Sequence, residues 1–398
     1  MRHVFICGAC GIGPRGGYEI FLDKLTEYMS YHYDVKLHVA CREPSGHEAT
    51  GYIPEGAVSC GEHEFEYHGA HCFMIRAEDR KMSTAIWYDL ESVHYCLRYC
   101  KVHRIEKPVL FLLTCRIGPF LGPIRRKLHA IGGTLHVNPG VHIWTRPKWK
   151  KPEAKYLQVS EAMSVRYADV VISDSKYGVR YIKKTYPQIR ANPIYIPYGT
   201  ERAPDVPAEK SEAYKEWARA NGVREGEYYY TIGRISSENN SFTILDEFID
   251  SDTNKKLVLI TDIDDELYSE LDQKLHLGDD KRIVFASPVY GPLLDEIRSR
   301  AFAYIHGREA CSTHISLLKG LALTKLNLIY YTEANTEAGG CMALYWTKTT
   351  GSLAALIEDC EEMKESEIDD YTRTSRRRME DKYSWLSVAL AYSEIWNT

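Results

Sequence analysis

The sequence predicts an α/β protein built as two parallel-sheet domains with a trailing C-terminal helix. Strand-like and helix-like segments alternate from the N-terminus. The alternation stops at a charged, proline-bearing stretch near the middle, then restarts at Tyr228. Alternation of this kind means βαβ units, whose sheets are covered by helices on both faces. At 398 residues, 44% hydrophobic, the chain can bury two or three full cores.

In the first half, Val4–Cys7 reads as a strand, Tyr18–Tyr31 as a helix opening after glycines, and Val35–Ala40 as a strand. His71–Ile75 is a strand, Ala85–Cys100 a helix, Val109–Thr114 a fully apolar strand, Pro123–Ala130 a helix and Thr134–Val137 a strand. Glu153–Tyr167 (helix), Val170–Ser173 (strand), Lys176–Thr185 (helix) and Ile194–Ile196 (strand) complete a domain over 1–200. Pro204, Pro207 and Asn221-Gly222 mark 201–226 as linker and leading helix. The pattern restarts over 227–368. Its strands are Tyr228–Ile232, Lys256–Thr261, Ile283–Ala286, Phe302–His306 and Leu326–Tyr331. Its helices are Phe242–Phe248, Glu266–Lys274, Leu293–Arg300, Ile315–Leu323 and Ser352–Asp359. The block Asp369–Trp396 reads as one helix, expected to pack back on the N-terminal domain.

A net charge of −5 argues against a general nucleic-acid binder. No apolar run approaches the roughly 18 residues that cross a bilayer, and MRHVFICGACG reads as a strand and not a secretory signal, so a cytoplasmic location is expected. The eleven cysteines sit mostly in apolar segments, as small buried hydrophobes do. Cys7-Gly8-Ala9-Cys10 has CxxC spacing but no second ligand pair. Glu62, His63, Glu64, Glu66, His68 and His71 have no defined metal-ligand spacing and read as a solvated acidic loop.

Four segments carry candidate chemistry. In Tyr228–Asn240, Arg234 stands at a strand's carboxyl end beside a helix start, where open α/β sheets bind ligands and both groups favour anions. Gly8–Gly17 joins the first strand to the first helix; its glycines permit close approach to a phosphate or sugar, although Gly8, Gly11 and Gly13 are not spaced as a dinucleotide fingerprint, Pro14 interrupts the run, and no Walker GKS or GKT follows. In Tyr304–Lys319 a strand runs into a polar loop and a helix start bearing Ser312, Thr313 and Ser316, whose hydroxyls suit a diphosphate, a ribose or a plain N-cap. In Leu135–Trp144, His136 and His142 are polar sugar contacts or solvated side chains. Asp262-Ile263-Asp264-Asp265 reads as a helix N-cap with first-turn acids. Arg116, Arg125, Arg126, Lys127, Arg146, Lys148, Lys150 and Lys151 lie among Phe120, Leu121, Trp144 and Trp149; this face either docks an anionic membrane surface or a phospholipid-linked substrate, or is merely basic.

Taken in order along nearly the whole chain, several motifs resemble the GT-B glycosyltransferases of family four, closest to the bacterial β1-4 rhamnosyltransferase group. They are Gly16-Gly17-Tyr18-Glu19, Asn138-Pro139 with Trp144, Lys148-Trp149, Ser160-Glu161, Ile172-Ser173-Asp174, Tyr198-Gly199-Thr200, Gly233-Arg234 with Glu238-Asn239-Asn240, Ala303–Gly307 and Ala343–Trp346. The resemblance implies a GT-B fold of two Rossmann-like domains facing a cleft. It also implies retaining transfer of L-rhamnose from dTDP-rhamnose, without metal or cofactor, to a saccharide acceptor linked to a lipid such as undecaprenyl diphosphate, in capsule or cell-wall polysaccharide synthesis. It would put Arg234, Asn239 and Asn240 at the donor diphosphate, and Ser312, Thr313, His314 and Lys319 at the donor nucleotide. Gly16, Gly17, Glu19, Asn138 and His142 would face the acceptor sugar.

The chain also departs from the group. Where the group reads NPDGxEW, this sequence has Gly140 and Ile143 in place of the two carboxylates. Where the group carries GGTNP and then LLE, this sequence has Cys311-Ser312-Thr313-His314-Ile315 and then Leu317-Leu318-Lys319. Either Lys319 pairs with a phosphate, or the chain is a binding homologue freed from catalysis.

Overall fold

The structure is a computed structural model that describes residues 1–14, 16–32, 34–43, 53–77, 82–202, 209–309 and 312–397. The chain divides into two compact units, Met1–Gly199 with Trp385–Thr398, and Thr200–Ser384. Pro204 and Pro207 of the expected linker, and Ala310 and Cys311 of the Tyr304–Lys319 segment, lie outside the described residues.

The first unit runs β1 (Arg2–Cys7), α1 (Gly17–His32), β2 (Val35–Arg42), β3 (Val58–Gly61), β4 (Glu64–Tyr67), β5 (Ala70–Ile75), α2 (Met82–Val102), β6 (Val109–Leu112), α3 (Leu121–His129), β7 (Thr134–Val137), α4 (Lys151–Tyr167), β8 (Val170–Ser173), α5 (Lys176–Thr185) and β9 (Ile194–Tyr195). The strands form one sheet in the order β3-β4-β5-β2-β1-β6-β7-β8-β9, parallel except for the β3–β4 and β4–β5 pairs. Every residue of β6 is buried, as its unbroken apolar run requires of a strand covered on both faces. The segment expected to be a solvated acidic loop is instead a β-hairpin. Residues 62–67 alternate acidic and non-acidic side chains, and that period of two is a strand's.

The second unit continues with α6 (Glu212–Ala220), β10 (Tyr228–Ile232), α7 (Ser241–Asp250), β11 (Lys256–Ile260), α8 (Asp265–Leu275), β12 (Ile283–Ala286), α9 (Gly291–Arg300), β13 (Ala303–His306), α10 (Ile315–Leu323), β14 (Leu326–Tyr330), α11 (Glu333–Gly339), β15 (Leu344–Trp346), α12 (Ser352–Glu362) and α13 (Glu365–Lys382). Its sheet is wholly parallel, in the order β12-β11-β10-β13-β14-β15. Tyr228, Tyr229 and Tyr230 are all fully buried. Tyr228 and Tyr230 pack with Trp217, Ile297 and Tyr304 on one face of β10, while Tyr229 packs with Phe248, Leu257 and Leu328 on the other. Each hydroxyl finds a partner, as buried phenols must: Ile297 O at 2.6 Å, Glu361 Oε1 at 3.1 Å and Thr324 Oγ1 at 2.9 Å.

The C-terminal block is two helices and not the single one expected. α13 stops at Lys382, where Thr200 N donates to Tyr383 O at 2.7 Å, and α14 (Trp385–Asn397) begins anew. α14 belongs to the first unit, packing Trp385 and Tyr392 against Phe21, and Tyr392 and Trp396 against Phe111. Such rings withdraw roughly 150–250 Å² each from water, a large fraction of what holds one helix. Gly199 has to be glycine, since a Cβ there would lie 2.5 Å from the Trp385 ring.

Candidate functional site

In the second sheet β10 and β13 are neighbours, while the strands that follow them, β11 and β14, lie on opposite sides. This is a topological switch point, and the loops at its carboxyl end are where open α/β sheets take ligands. The loop 233–240 follows β10, and the loop after β13 starts at Gly307. Asn240 Nδ2 donates to Gly307 O at 2.8 Å, and Glu309 N donates to Glu238 O at 2.9 Å. A Cβ at Gly307 would fall 2.1 Å from Asn239 O, so only glycine lets the loops meet. Asn239 Nδ2 donates to Arg234 O at 2.6 Å, fixing the backbone beneath an exposed guanidinium. Asn240 is buried in the left-handed region (φ 50°), which asparagine tolerates best of the non-glycine residues.

The donor-nucleotide candidates divide. Thr313 is buried and Ser312 half-buried, and α10 starts at Ile315, so its N-cap is His314 and not either hydroxyl residue. Lys319 Nζ is 3.2 Å from Asp295 Oδ2 and 3.6 Å from Glu201 Oε2. His306, fully buried, bonds Tyr304 OH through Nδ1 at 2.9 Å; burial first, then Arg308, lower its pKa to about 3. Asp264 caps α8 by accepting from Leu267 N at 2.8 Å, so that acidic pair is a helix cap as read.

The first sheet repeats the arrangement, with β1 and β6 flanking its switch point. Gly8 follows β1 at φ 109°, and Leu113 N donates to Cys7 O at 2.9 Å. Glu19 Oε1 accepts from Cys10 N at 3.0 Å, so this carboxylate braces the glycine loop; burial raises its pKa. Gly16 is exposed beside Glu19, and Gly17 is open, with nothing within 4 Å of a Cβ built there. Asn138, buried at the end of β7, accepts from Gly140 N at 3.2 Å. His142 N donates to Glu161 Oε2 at 3.1 Å, its ring lies 3.9 Å from Tyr181, and burial lowers its pKa. His136 is not a surface sugar contact: it is buried within the sheet, 3.2 Å from Thr134 Oγ1, with its pKa pushed down to about 4 by burial. A cavity of about 740 Å³ lined by Arg125, Arg166, Tyr186 and Arg190 opens where α4 and α5 end, at the opposite edge of the sheet from these loops.

A family profile described as a domain of unknown function, DUF1972, matches residues 1–201, half of the chain. The chain belongs to the DUF1972 family. No curated protein sequence matches it significantly. Solved structures do resemble it along its whole length. Sucrose-phosphate synthase from Thermosynechococcus elongatus is similar at TM-score 0.77 and 13% identity, covering 100% of this chain and 98% of that one. HepE from Anabaena in complex with UDP-glucose is similar at TM-score 0.70 and 13% identity, covering 100% and 99%. Trehalose 6-phosphate synthase from Burkholderia multivorans is similar at TM-score 0.70 and 9% identity, covering 100% and 96%. The fold of this DUF1972 chain is GT-B, with two Rossmann-like units.

Two residues that the sequence singled out, Glu161 within a motif and Arg116 on the basic face, make contacts in the DUF1972 unit that sequence reasoning did not foresee. Glu161, fully buried, accepts from Tyr181 OH at 2.8 Å, Tyr186 OH at 2.7 Å and His142 N. Arg116, expected on the basic face, instead turns inward. It forks onto Asp89 at 2.7 and 2.8 Å and donates to Gly8 O at 2.8 Å. Arg125 is committed to Asp169 at 2.6 Å, and Leu121 is buried. Arg126, Lys127, Lys148, Lys150 and Lys151 remain exposed, with Lys148 over the Trp149 ring at 4.5 Å. No helix among the described residues is long and apolar enough to cross a membrane.

Proposed function

We propose that this chain is a retaining, metal-independent glycosyltransferase that takes L-rhamnose from dTDP-rhamnose and passes it to a lipid-linked saccharide in polysaccharide synthesis. The observation that carries the reading is Arg234. Its guanidinium is exposed at the carboxyl end of β10, on a backbone fixed by Asn239, at a switch point where two loops are bonded together. A nucleoside diphosphate leaving a sugar develops negative charge, and a preorganised cation beside a helix start stabilises it without reorganisation. The GT-B fold supports the same reading, and the similar HepE structure holds UDP-glucose, a nucleotide sugar. Asn239 and Asn240 then act by shaping the diphosphate loop, and Ser312, Thr313 and His314 line the nucleotide side. Gly16, Gly17, Glu19, Asn138 and His142 form the acceptor surface of the first unit, and the exposed basic residues keep the enzyme at the inner membrane face. Front-face transfer with retention needs no protein nucleophile, so alignment and charge are what these residues supply.

A second reading, a catalytically silent binding homologue, is favoured by one observation: Lys319 is occupied by Asp295 and Glu201. Calorimetric titration with dTDP-rhamnose, UDP-glucose and GDP-mannose, followed by a transfer assay, separates the two. The enzyme reading expects dTDP-rhamnose to bind and turn over, and Arg234→Ala to weaken binding by about 10- to 100-fold, the worth of a charge-assisted contact, at unchanged stability. Binding without turnover on any acceptor supports the second reading. A folded chain that binds no nucleotide sugar overturns both the donor and the site.

A further inference from the structure

At the outer edge of the first unit's sheet, three strands bring a thiol, a carboxylate and an imidazole together. Cys60 on β3, Glu64 on β4 and His71 on β5 have ligand atoms that all lie within 4.8 Å of one another. The pairing explains why. Glu66 stands opposite His71, so Glu64, two residues away, shares that face of the sheet. On the other side Ser59 pairs with Phe65 and Gly61 with Glu64, so two adjacent positions of β4 meet positions two apart on β3. Cys60 is the extra residue of a β-bulge, a device that re-aims a side chain, and its exposed thiol is turned toward Glu64.

Both inner groups are held from behind. Tyr95 OH donates to Glu64 Oε1, leaving Oε2 3.3 Å from His71 Nε2. His71 Nδ1 lies 2.9 Å from His38 Nδ1, and His38 Nε2 lies 2.9 Å from His3 Nδ1. Facing ring nitrogens at that distance share one proton, so the three imidazoles form a wire with two senses. In one, His71 Nε2–H donates to Glu64. In the other, His71 carries its proton on Nδ1 and presents an Nε2 lone pair to Glu64 and Cys60. The second sense is a metal-binding face, with the ring anchored by an outer hydrogen bond as metal-ligating histidines are. The 3.3 Å between Nε2 and Oε2 matches the edge of a tetrahedron whose bonds are roughly 2.0–2.1 Å.

We propose that Cys60, Glu64 and His71 bind one zinc-class divalent cation, with water as fourth ligand, and that the ion clasps the β3–β4 hairpin to the sheet. Thiolate and imidazole together select such a metal over magnesium or calcium. On binding, Cys60 loses its thiol proton to bulk water. His71 gives up its Nε2 proton, and the wire's shift is completed by a proton taken up at the outer nitrogen of His3. Tyr95 and His38 are positioning residues. The site lies at the β3 edge of the first sheet, with β2 between it and the β1–β6 switch point of that sheet.

The test is titration of the chelator-stripped full chain with Co²⁺ alone and then Zn²⁺ alone. One equivalent of Co²⁺ is expected to bind with a thiolate charge-transfer band in the near ultraviolet, bleached by one equivalent of Zn²⁺. Cys60→Ser, at an exposed position where folding is not at stake, is expected to abolish the band. Tyr95→Phe is expected to keep the band and weaken Zn²⁺ about 10- to 100-fold, as loss of an outer-shell partner does. Absence of stoichiometric binding, or a band that survives in Cys60→Ser, overturns the proposal.

Discussion

Asn240 Nδ2 donates to Gly307 O across 2.8 Å, joining the loop after β10 to the loop after β13 at the second sheet's switch point. The donor is a buried residue held at φ 50°. Asn240→Ala removes the bond, strands a buried carbonyl and puts alanine in the left-handed region. The lost bond and its stranded carbonyl are one cost and the backbone strain a second, each about 1–2 kcal/mol, so a loss of about 2–4 kcal/mol is expected in urea unfolding. Asn240→Gly relieves the backbone cost alone and is expected to recover roughly half. Equal losses for both variants would show that the αL conformation does not matter there.

Lys319 tests whether its charge serves structure or ligand. Its ammonium lies between Asp295 and Glu201, partly exposed. Lys319→Glu would gather three carboxylates and is expected to destabilise the chain by about 1–2 kcal/mol, discounted for solvent screening. Adding Asp295→Lys in the same chain is expected to restore only part of that, because it also replaces the Asp295–Arg298 pair with two cations. Lys319→Met is expected to leave nucleotide-sugar affinity within about twofold, since the cation is already engaged. A tenfold drop in calorimetry would put Lys319 at the phosphates instead.

Acid sensitivity follows from two buried histidines in different units. His136 and His306 titrate near 6.5 when unfolded but at about 4 and about 3 when folded, chiefly because burial disfavours the cation. As pH falls below 6.5 the unfolded chain takes up protons that the folded chain refuses. Stability is therefore fully present above that value. It is lost downward toward pH 4 for His136 and pH 3 for His306, by up to about 1.4 kcal/mol per pH unit for each ring. Urea midpoints at pH 7 and pH 5 measure this. His136→Gln is expected to reduce the slope for the first unit, where buried His38 contributes in the same sense, and an unchanged slope would mean that the His136 ring is not what titrates.

What could be read along the chain were elements whose cause is local. The run Tyr228–Ile232 ends at Gly233 and is a strand in both views, because aromatic β-formers and a turn glycine sit side by side. The placement of Arg234 just past that strand's carboxyl end followed from the same few residues. The acidic hairpin carried a local period-two signal that the density of charge masked, and the side chain that meets Glu64, Tyr95, stands on a helix 31 positions away. The partners of Glu161 and Arg116 were not legible because they too are distant in sequence, Arg116 reaching Gly8 across 108 positions. The break between α13 and α14 is set by Thr200, which no periodicity near Ser384 records.

Arg116 offers the sharpest test of such a distant contact. Asp89 is almost wholly buried, and burial alone would favour its neutral form; the guanidinium fork opposes that and keeps it paired. Arg116→Ala removes one partner only and leaves a buried carboxylate uncompensated, which typically costs about 3–5 kcal/mol. Arg116→Lys keeps the charge but cannot fork to Asp89 and reach Gly8 O together, so an intermediate loss is expected. The pair Arg116→Met with Asp89→Asn removes both charges and is expected to be less costly than Arg116→Ala, because no lone ion remains inside. Urea unfolding of the four chains gives the order. The same variants probe the glycine loop, since Arg116 is one of its anchors: amide exchange at residues 8–10 should quicken in Arg116→Ala. If exchange stays slow while stability falls, the ion pair supports the fold but does not hold the loop.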